Sequence, residues 1–386
     1  MDFRLTEEQE ITRRTVREFA VKEIAPRARA LDDSQEFPRD IFARLGGMGL
    51  LGILFPPEYG GAGLGYVDYA LIIEELARAD GSIGLSVAAH NSLCSNHIFI
   101  AGTEEQKQRY LVPLAKGEKI GAWSLTEPTA GSDAAGTRST ATRDGRDWVL
   151  NGSKTFTTHG SVGDVVVVFA VTDRVRGKHG ISAFVLERGM KGFRPGRKED
   201  KMGCRASDTA EVVMEDCRVG PSQLLGREGE GFIDALRVLD GGRIGIGAMA
   251  VGIAQGALEQ ALSYAAGRRQ FGRAIAEFQG VQWLLADSAV EIEAARLLVR
   301  RAAYLKESGE EVTLASAMAK LYASEIAVRV TDRAVQVHGG YGYIKEYPVE
   351  RAYRDARLTT IGEGTSEIQR LVIARQILGL EREHGA

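Results

Sequence analysis

Residues 165–171, Val-Val-Val-Val-Phe-Ala-Val, form the longest apolar run in the chain. The run is far shorter than the roughly 20 residues a helix needs to cross a bilayer. Its β-branched composition predicts a strand buried on both faces. Shorter runs of the same kind stand nearby: Trp148-Val149-Leu150, Ile181 to Leu186 and Ala210 to Met214. Turn-prone stretches such as Arg143-Asp144-Gly145-Arg146 and Asn151-Gly152 separate them. A small β domain is therefore expected over 121–231.

Outward from it the texture is helical on both sides. Towards the amino terminus Leu5, Ile11, Val16, Phe19 and Ile24 recur at helical spacing until Pro26 interrupts. The glycine-rich stretch Phe55–Tyr66 does not meet the phosphate-binding G-x-G-x-x-G pattern and is expected to be a loop between helices. Helical segments follow at Asp68–Ala79 and Ile83–Phe99. Beyond the β domain, segments at 232–267, 277–308, 312–338 and 365–379 with short connections suggest antiparallel neighbours in a bundle. Gly245, Gly252 and Gly256 in the first of these imply either close helix–helix contact or a ligand against the helix. The expected fold is α+β in three parts: a helical domain over 1–120, the β domain over 121–231 and a helical bundle over 232–386. Without βαβ alternation, a Rossmann sheet is not expected.

Composition narrows the function classes. The 386 residues are 44% hydrophobic and 26% charged, as in a water-soluble globular protein. A net charge of −3 without a basic tail gives no electrostatic case for nucleic acid. Cys94, Cys204 and Cys217 make no C-x-x-C pair, which suits a reducing compartment and argues against disulfides and zinc. His90 and His97 could share a helix face, but further ligands at suitable spacing are not evident, so no metal is expected. The amino-terminal MDFRLTEEQE reads as neither signal nor transit peptide, and a cytoplasmic location is expected, a matrix protein with its presequence removed being the other possibility.

The stretch Tyr353–Arg370, YRDARLTTIGEGTSEIQR, carries the best candidate for chemistry. Glu363 sits between glycines just before a helix start, with Thr365 or Ser366 as N-cap and Glu367 in the first turn. The glycines permit close approach of backbone and ligand. From this stretch alone, a solvated turn glutamate complementing the helix dipole explains the pattern equally well.

Other motifs decide between the two. Leu125-Thr126-Glu127-Pro128 is followed by Ala130-Gly131-Ser132-Asp133, then by Asn151-Gly152-Ser153-Lys154-Thr155-Phe156-Thr157-Thr158. Asp240-Gly241-Gly242-Arg243, Arg268-Arg269-Gln270-Phe271-Gly272, Gln336-Val337-His338-Gly339-Gly340-Tyr341-Gly342, Tyr353-Arg354-Asp355-Ala356-Arg357 and Glu363-Gly364-Thr365 complete the series. In this order the chain resembles the acyl-CoA dehydrogenases over essentially its whole length, and looks closest to the short- and branched-chain members.

The resemblance implies a homotetrameric FAD enzyme with an N-terminal α-helical domain, a middle β-barrel-like domain and a C-terminal four-helix bundle. The implied reaction converts an acyl-CoA to the trans-2-enoyl-CoA, with electrons passed to an electron-transfer flavoprotein in fatty-acid or branched amino-acid breakdown. Glu363 is then the base that takes the α-proton. Its own backbone N–H and a flavin ribityl hydroxyl hold the thioester oxygen, and burial raises its pKa towards the working pH. Some relatives carry this glutamate near the DGGR segment, where this chain has Gly242.

The resemblance also assigns cofactor contacts to Trp123, Leu125, Thr126, Gly131 and Ser132, and to Phe156, Thr157 and Thr158 on the flavin face opposite the substrate. The family's usual tryptophan is Phe156 here; a core residue of the β domain is the other reading of it. Arg268, Phe271, Gln279, Gln336, Val337, Gly339 and Gly340 match contacts to the cofactor's other end, made largely across a subunit boundary, and Thr365 and Glu367 match further ones. Ser132, Asp240, Arg243 and Gly364 match substrate contacts, with a buried structural Asp–Arg pair as the alternative for Asp240 and Arg243. Gly362 stands where many short- and medium-chain relatives have tyrosine, which implies room for branched or longer acyl chains. Three other readings are an acyl-CoA oxidase, usually a longer chain; a flavin monooxygenase, which generally lacks the glutamate; and a non-catalytic flavin- or CoA-binding scaffold.

Overall fold

A computed structural model of the chain describes residues 4–380. Met1–Phe3, part of the amino-terminal stretch read above, and residues 381–386 lie outside the described residues.

The first part is helical: α1 (Glu7–Phe19), α2 (Ala28–Ser34), α3 (Arg39–Gly47), α4 (Tyr66–Ala79), α5 (Gly81–Ala89), α6 (Asn96–Ala101), α7 (Glu104–Gln106) and α8 (Val112–Ala115). Thr6 opens α1 with a reciprocal capping box to Gln9. Pro26 does not break the path: a π turn over Ala20–Ile24 and a 3-10 turn over Ala25–Arg27 carry the chain into α2. The stretch expected to be a loop, Phe55–Tyr66, is one up to Gly65, with one short 3-10 turn, Pro57–Tyr59; Tyr66 opens α4.

The middle part holds β1 (Gly121–Ser124), β2 (Thr140–Asp144), β3 (Asp147–Thr158), β4 (Val165–Val171), β5 (Ile181–Glu187), β6 (Phe193–Lys198), β7 (Thr209–Val219) and β8 (Leu224–Leu225). They form one eight-stranded sheet in the order β6-β7-β3-β2-β4-β5-β8, with β1 parallel to β4. Val165–Ala170 are buried throughout, because one side packs on Trp123 and Phe99 and the other on Trp148 and Met214.

The last part holds α9 (Gly231–Gly267), α10 (Gln279–Glu307), α11 (Thr313–His338), α12 (Val349–Thr359) and α13 (Ser366–Leu378). α12 is a helix that the periodicity did not single out, since five of its 11 residues are charged. Its charges are used internally: Arg354 grips Asp32 at 2.7 and 3.0 Å and Glu350 at 2.7 and 3.0 Å. Asp355 accepts the backbone N–H of Cys204 at 2.5 Å, tying α12 to the β domain. No helix among the described residues is long and apolar enough to cross a membrane.

The two helical parts share one core, with Ile72 and Leu76 of α4 packed among Ile244 and Ile253 of α9 and Ile326 and Val330 of α11. The glycines of α9 make that packing possible. A Cβ on Gly252 would stand 2.3 Å from the Glu74 carbonyl, and one on Gly256 2.3 Å from the Arg78 carbonyl. Gly245, Gly252 and Gly256 thus serve close contact with α4.

Candidate active site

α12 ends at Thr359, and the next turn reverses the chain into α13. Thr365 is the N-cap of α13, accepting the Ile368 N–H at 3.3 Å. Between them Glu363 has φ +53° and Gly364 φ +93°. Left-handed geometry is uncommon for a residue with a side chain and costs on the order of 1–3 kcal/mol, so its surroundings must enforce it. Gln369 Nε2 donates to the Glu363 carbonyl at 3.2 Å and the Gly364 carbonyl at 3.0 Å. Lys320 Nζ, from α11, donates to the same Gly364 carbonyl at 2.7 Å.

The turn sends the Glu363 side chain over α9. Its Oε2 is sealed from solvent without a hydrogen-bond partner, although the residue as a whole is only half-buried. A Cβ on Gly242 would lie 2.0 Å from that oxygen, and the next neighbour of such a Cβ is Leu93 at 3.2 Å. Burial pushes the carboxyl up to about 7, against the opposing pull of Lys320 and Arg243. A dry carboxylate poised near neutrality is what a general base requires.

The Asp240–Arg243 pair is formed: Arg243 Nη1 donates to Asp240 Oδ1 at 2.6 Å, and Thr313 Oγ1 to Asp240 Oδ2 at 2.9 Å. The structural pairing left open above is therefore present, spanning the turn of α9 that contains Gly242. At Gly362 a Cβ would make ordinary contact with Leu358, at 3.7–4.0 Å, without a clash. Ser132 and Gly131 are exposed on their loop.

The β domain presents a second group. β3 carries a register irregularity between Lys154 and Thr157, and there Phe156 has φ +55° and is 66% exposed. Such a bulge re-aims a side chain. Here it turns an aromatic ring to solvent, which overturns the core reading of Phe156. Thr157 is buried beside Ser124, their hydroxyls 2.6 Å apart, while Thr158 is half-buried. The Thr155 N–H donates to the Thr126 carbonyl at 2.8 Å, joining the two predicted cofactor segments.

Beneath this junction lies an ion pair that the motifs contain but did not explain. Fully buried Lys154 donates to Glu127 at 2.7 Å, to Thr137 Oγ1 at 2.8 Å and to the Leu125 carbonyl at 3.3 Å. Glu127 also accepts the Thr137 hydroxyl and the backbone N–H groups of Arg138 at 2.7 Å and Ser139 at 3.0 Å. Burial works to raise the Glu127 carboxyl, but Lys154 and these hydrogen bonds outweigh it and hold it at about 2. Trp123 is held in turn by His97, whose Nδ1 accepts the indole N–H at 3.1 Å. His97 and His90 are buried and pushed down to about 3 by burial. Both histidines are packing residues.

A third group lies elsewhere. Arg268, Val337, Gly339 and Gly340 line a cavity of about 500 Å³ with Tyr264, His338 and Tyr341. The Arg268 guanidinium sits 5.5 Å from the centre of the Tyr341 ring. Nearby on the chain Phe271 has φ +51° and is 93% exposed, and Gln336 and Gln279 are exposed. From Gly242, beside Glu363, to Tyr264, beside this cavity, α9 runs roughly 33 Å at about 1.5 Å per residue. The predicted cofactor residues thus form two sets at opposite ends of α9. Their chemistry fits a flavin dinucleotide: an exposed aromatic plate and hydroxyls at one set, a cation and open glycine backbone at the other. Sets this far apart are what a cofactor shared between two copies of the chain would leave on each copy.

Helix α10 offers a surface for such pairing. Trp283, Val290, Leu297 and Tyr304 recur every seventh residue, all exposed. A helix stripe of that period is the usual seam for another helix.

Three acyl-CoA dehydrogenase family models match the chain in order: the N-terminal domain over residues 6–118, the middle domain over 122–217 and the C-terminal domain over 229–378. The short-chain specific acyl-CoA dehydrogenase of Clostridium acetobutylicum is 52% identical over 377 residues, covering 98% of this chain and 100% of that one. Butyryl-CoA dehydrogenase from Megasphaera elsdenii superposes with a TM-score of 0.96 at 45% identity, over 98% of this chain and 100% of that one. A chain in the structure described as the electron transferring flavoprotein of Acidaminococcus fermentans gives a TM-score of 0.97 at 50% identity, again over 98% and 100%.

Proposed function

The chain belongs to the acyl-CoA dehydrogenase family, and from that premise we propose that it oxidises a short- or branched-chain acyl-CoA to the trans-2-enoyl-CoA with FAD. The observation that carries the reading is the Glu363 carboxyl, its Oε2 sealed from solvent, raised to about 7 and aimed across Gly242.

The α-proton next to a thioester is weakly acidic, so its removal needs a positioned, dehydrated carboxylate and a donor for the developing enolate oxygen. Glu363 takes the proton, and its backbone N–H is the donor the chain supplies. A bound flavin would supply the acceptor for the β-carbon's hydride and a route for the electrons onward. Trp123, Leu125, Thr126, Gly131, Ser132, Phe156 and Thr158 would hold its ring end, with Thr157 fixing the strand beneath. Arg268, Phe271, Gln279, Gln336, Val337, Gly339 and Gly340 of a second copy would hold its far end, with Thr365 and Glu367 at the start of α13 as further contacts. Asp240 and Arg243, bonded to each other, shape the substrate channel together with Ser132 and Gly364.

The division into 1–120, 121–231 and 232–386 follows the change from helix to sheet and back. Assembly as a homotetramer is supported by the α10 stripe and by the separation of the two cofactor sets. The likeness to the Acidaminococcus chain supports an electron-transfer flavoprotein as acceptor. The proposed site of action is the cytoplasm. The lack of an aromatic side chain at Gly362, where a Cβ would fit without a clash, supports tolerance of branched or longer acyl chains.

Anaerobic titration of the flavin-loaded protein with butyryl-, isobutyryl-, 2-methylbutyryl- and octanoyl-CoA tests the reading. Bleaching is expected with one or more of them, and Glu363→Gln should bind ligand yet bleach orders of magnitude more slowly. Near-normal bleaching by that variant would displace Glu363 as the base. Strict preference for butyryl-CoA would sink the reading of Gly362.

A further inference from the structure

Lys320 lies in the middle of α11, fully buried in a stripe formed with Ser316, Ser324, Ala327 and Thr331. Removing an ammonium from water costs several kcal/mol unless partners compensate. Burial pulls Lys320 down to about 8, and the Glu363 carboxylate is the largest charge opposing that fall. The ammonium's bond goes to the Gly364 carbonyl, the residue directly after the carboxylate. A buried cation has thus been placed under a turn whose left-handed geometry needs enforcing, and beside an acid that needs help to ionise.

We propose that Lys320 is a positioning residue for proton abstraction: its bond to Gly364 fixes the turn that aims Glu363 across Gly242, and its charge keeps that carboxylate ionised in a dry site. This role rests on Glu363 being the base. The substrate proton passes to Glu363, and Lys320 keeps its own.

The other groups facing the carboxyl leave this task to Lys320. Arg243 on α9 is partly neutralised by its bond to Asp240. On α4, Tyr66 and Tyr69 are raised by burial and stay neutral. Glu367 on α13 is a like charge. Lys320 is the foremost influence lowering the carboxyl, ahead of Arg243. Removing its charge must raise the carboxyl further. Less of the base is then ionised at a given pH, and the acid limb of the rate profile moves to higher pH.

The test compares kcat/KM for butyryl-CoA against pH in flavin-loaded wild type, Lys320→Gln, Lys320→Met and Lys320→Arg, with Glu363→Gln alongside. Infrared titration of the carboxyl C=O band, assigned by its loss in Glu363→Gln, reads the same acid without turnover. Lys320→Gln keeps a donor but loses the charge: both midpoints should rise by about one pH unit or more, with the rate recovering at alkaline pH. Lys320→Met should show the same shift and lose rate at every pH, while Lys320→Arg should hold the wild-type midpoint. If the Met variant does not fold, Gln and Arg carry the comparison. Unmoved midpoints in Lys320→Gln, with Glu363→Gln inactive, would overturn the role of Lys320 alone. An active Glu363→Gln would overturn the assignment of the base, and this role with it.

Discussion

The Glu363 carboxylate occupies the space that a side chain on Gly242 would need, since a Cβ there would stand 2.0 Å from Oε2. Contact that close cannot be absorbed by the rigid body of α9, so the carboxylate must swing away. Gly242→Ala should therefore retain flavin and fold but lose turnover by about 100-fold, the scale that roughly 1 Å of misplacement produces. Absorbance of the bound flavin and steady-state rates with butyryl-CoA check this; an unimpaired Gly242→Ala would show that the carboxylate works from elsewhere.

The raised Glu363 carboxyl also has a cost in stability. Its folded pKa, about 7, lies above the ordinary 4.5. The folded state therefore holds its proton longer, and this group's contribution to stability is fully present below about pH 4.5 and lost as pH rises through 7. Glu363→Gln removes that loss. At pH 8 the variant should melt higher than wild type, by the equivalent of about 1–3 kcal/mol, and the difference should shrink in acid. Thermal melts of both proteins at several pH values read it directly.

Glu127 behaves in the opposite sense. Its folded pKa of about 2 lies below 4.5, so its contribution is present above 4.5 and lost as pH falls towards 2. The loss amounts to roughly 3 kcal/mol, offset in part by the cost of burying Lys154. Glu127→Gln should flatten the acid side of the stability curve. Lys154→Met should cost about 3–5 kcal/mol by leaving Glu127 buried and unpaired. Both should loosen flavin, because the pair joins the loop after Trp123 to the strand that carries Phe156. Chemical denaturation and flavin release measure the two effects separately.

Phe156 separates binding from folding more cleanly. Its ring is 66% exposed on a strained bulge. Phe156→Ala should leave the apoprotein's melting temperature within about a degree, as surface changes do, and weaken flavin retention about tenfold or more. A destabilised apoprotein would restore Phe156 to the core.

On α10, charge placed in the seven-residue stripe should disperse the assembly. Trp283→Asp together with Leu297→Asp is expected to shift the protein to smaller species in analytical ultracentrifugation, with flavin lost in proportion. An unchanged sedimentation profile would place the interface elsewhere.

How far the sequence could be read depended on the range of the interaction. The buried strand at Val165–Val171 and the long helices were legible because composition and period act locally. Glu363 stood out as a candidate because its glycines and helix cap lie within a few residues, but only the series of motifs along the chain separated a base from a solvated turn residue. Lys320 was not: a lone lysine among Ala, Ser, Met and Leu reads as a solvated position, and only the packing of α11 under the Glu363 turn shows it buried. Helix α12 was missed because its charges are consumed by Asp32 and Glu350, one of them more than 300 residues away in the chain. β1, β2 and β6 were missed because they are short and mixed in polarity, and owe their pairing to neighbours. The convergence of Gly242 and Glu363 was suggested by the motifs, but its closeness is a property of the fold.

The length of α9 has a consequence for heredity as well as for chemistry. On the proposed arrangement each site draws its base from one chain and its far cofactor grip from another. A chain defective only at Glu363 can still lend Arg268 to its neighbour, and one defective only at Arg268 can lend its Glu363. Two different lesions carried together would then partly repair one another, whereas two copies of the same lesion would not.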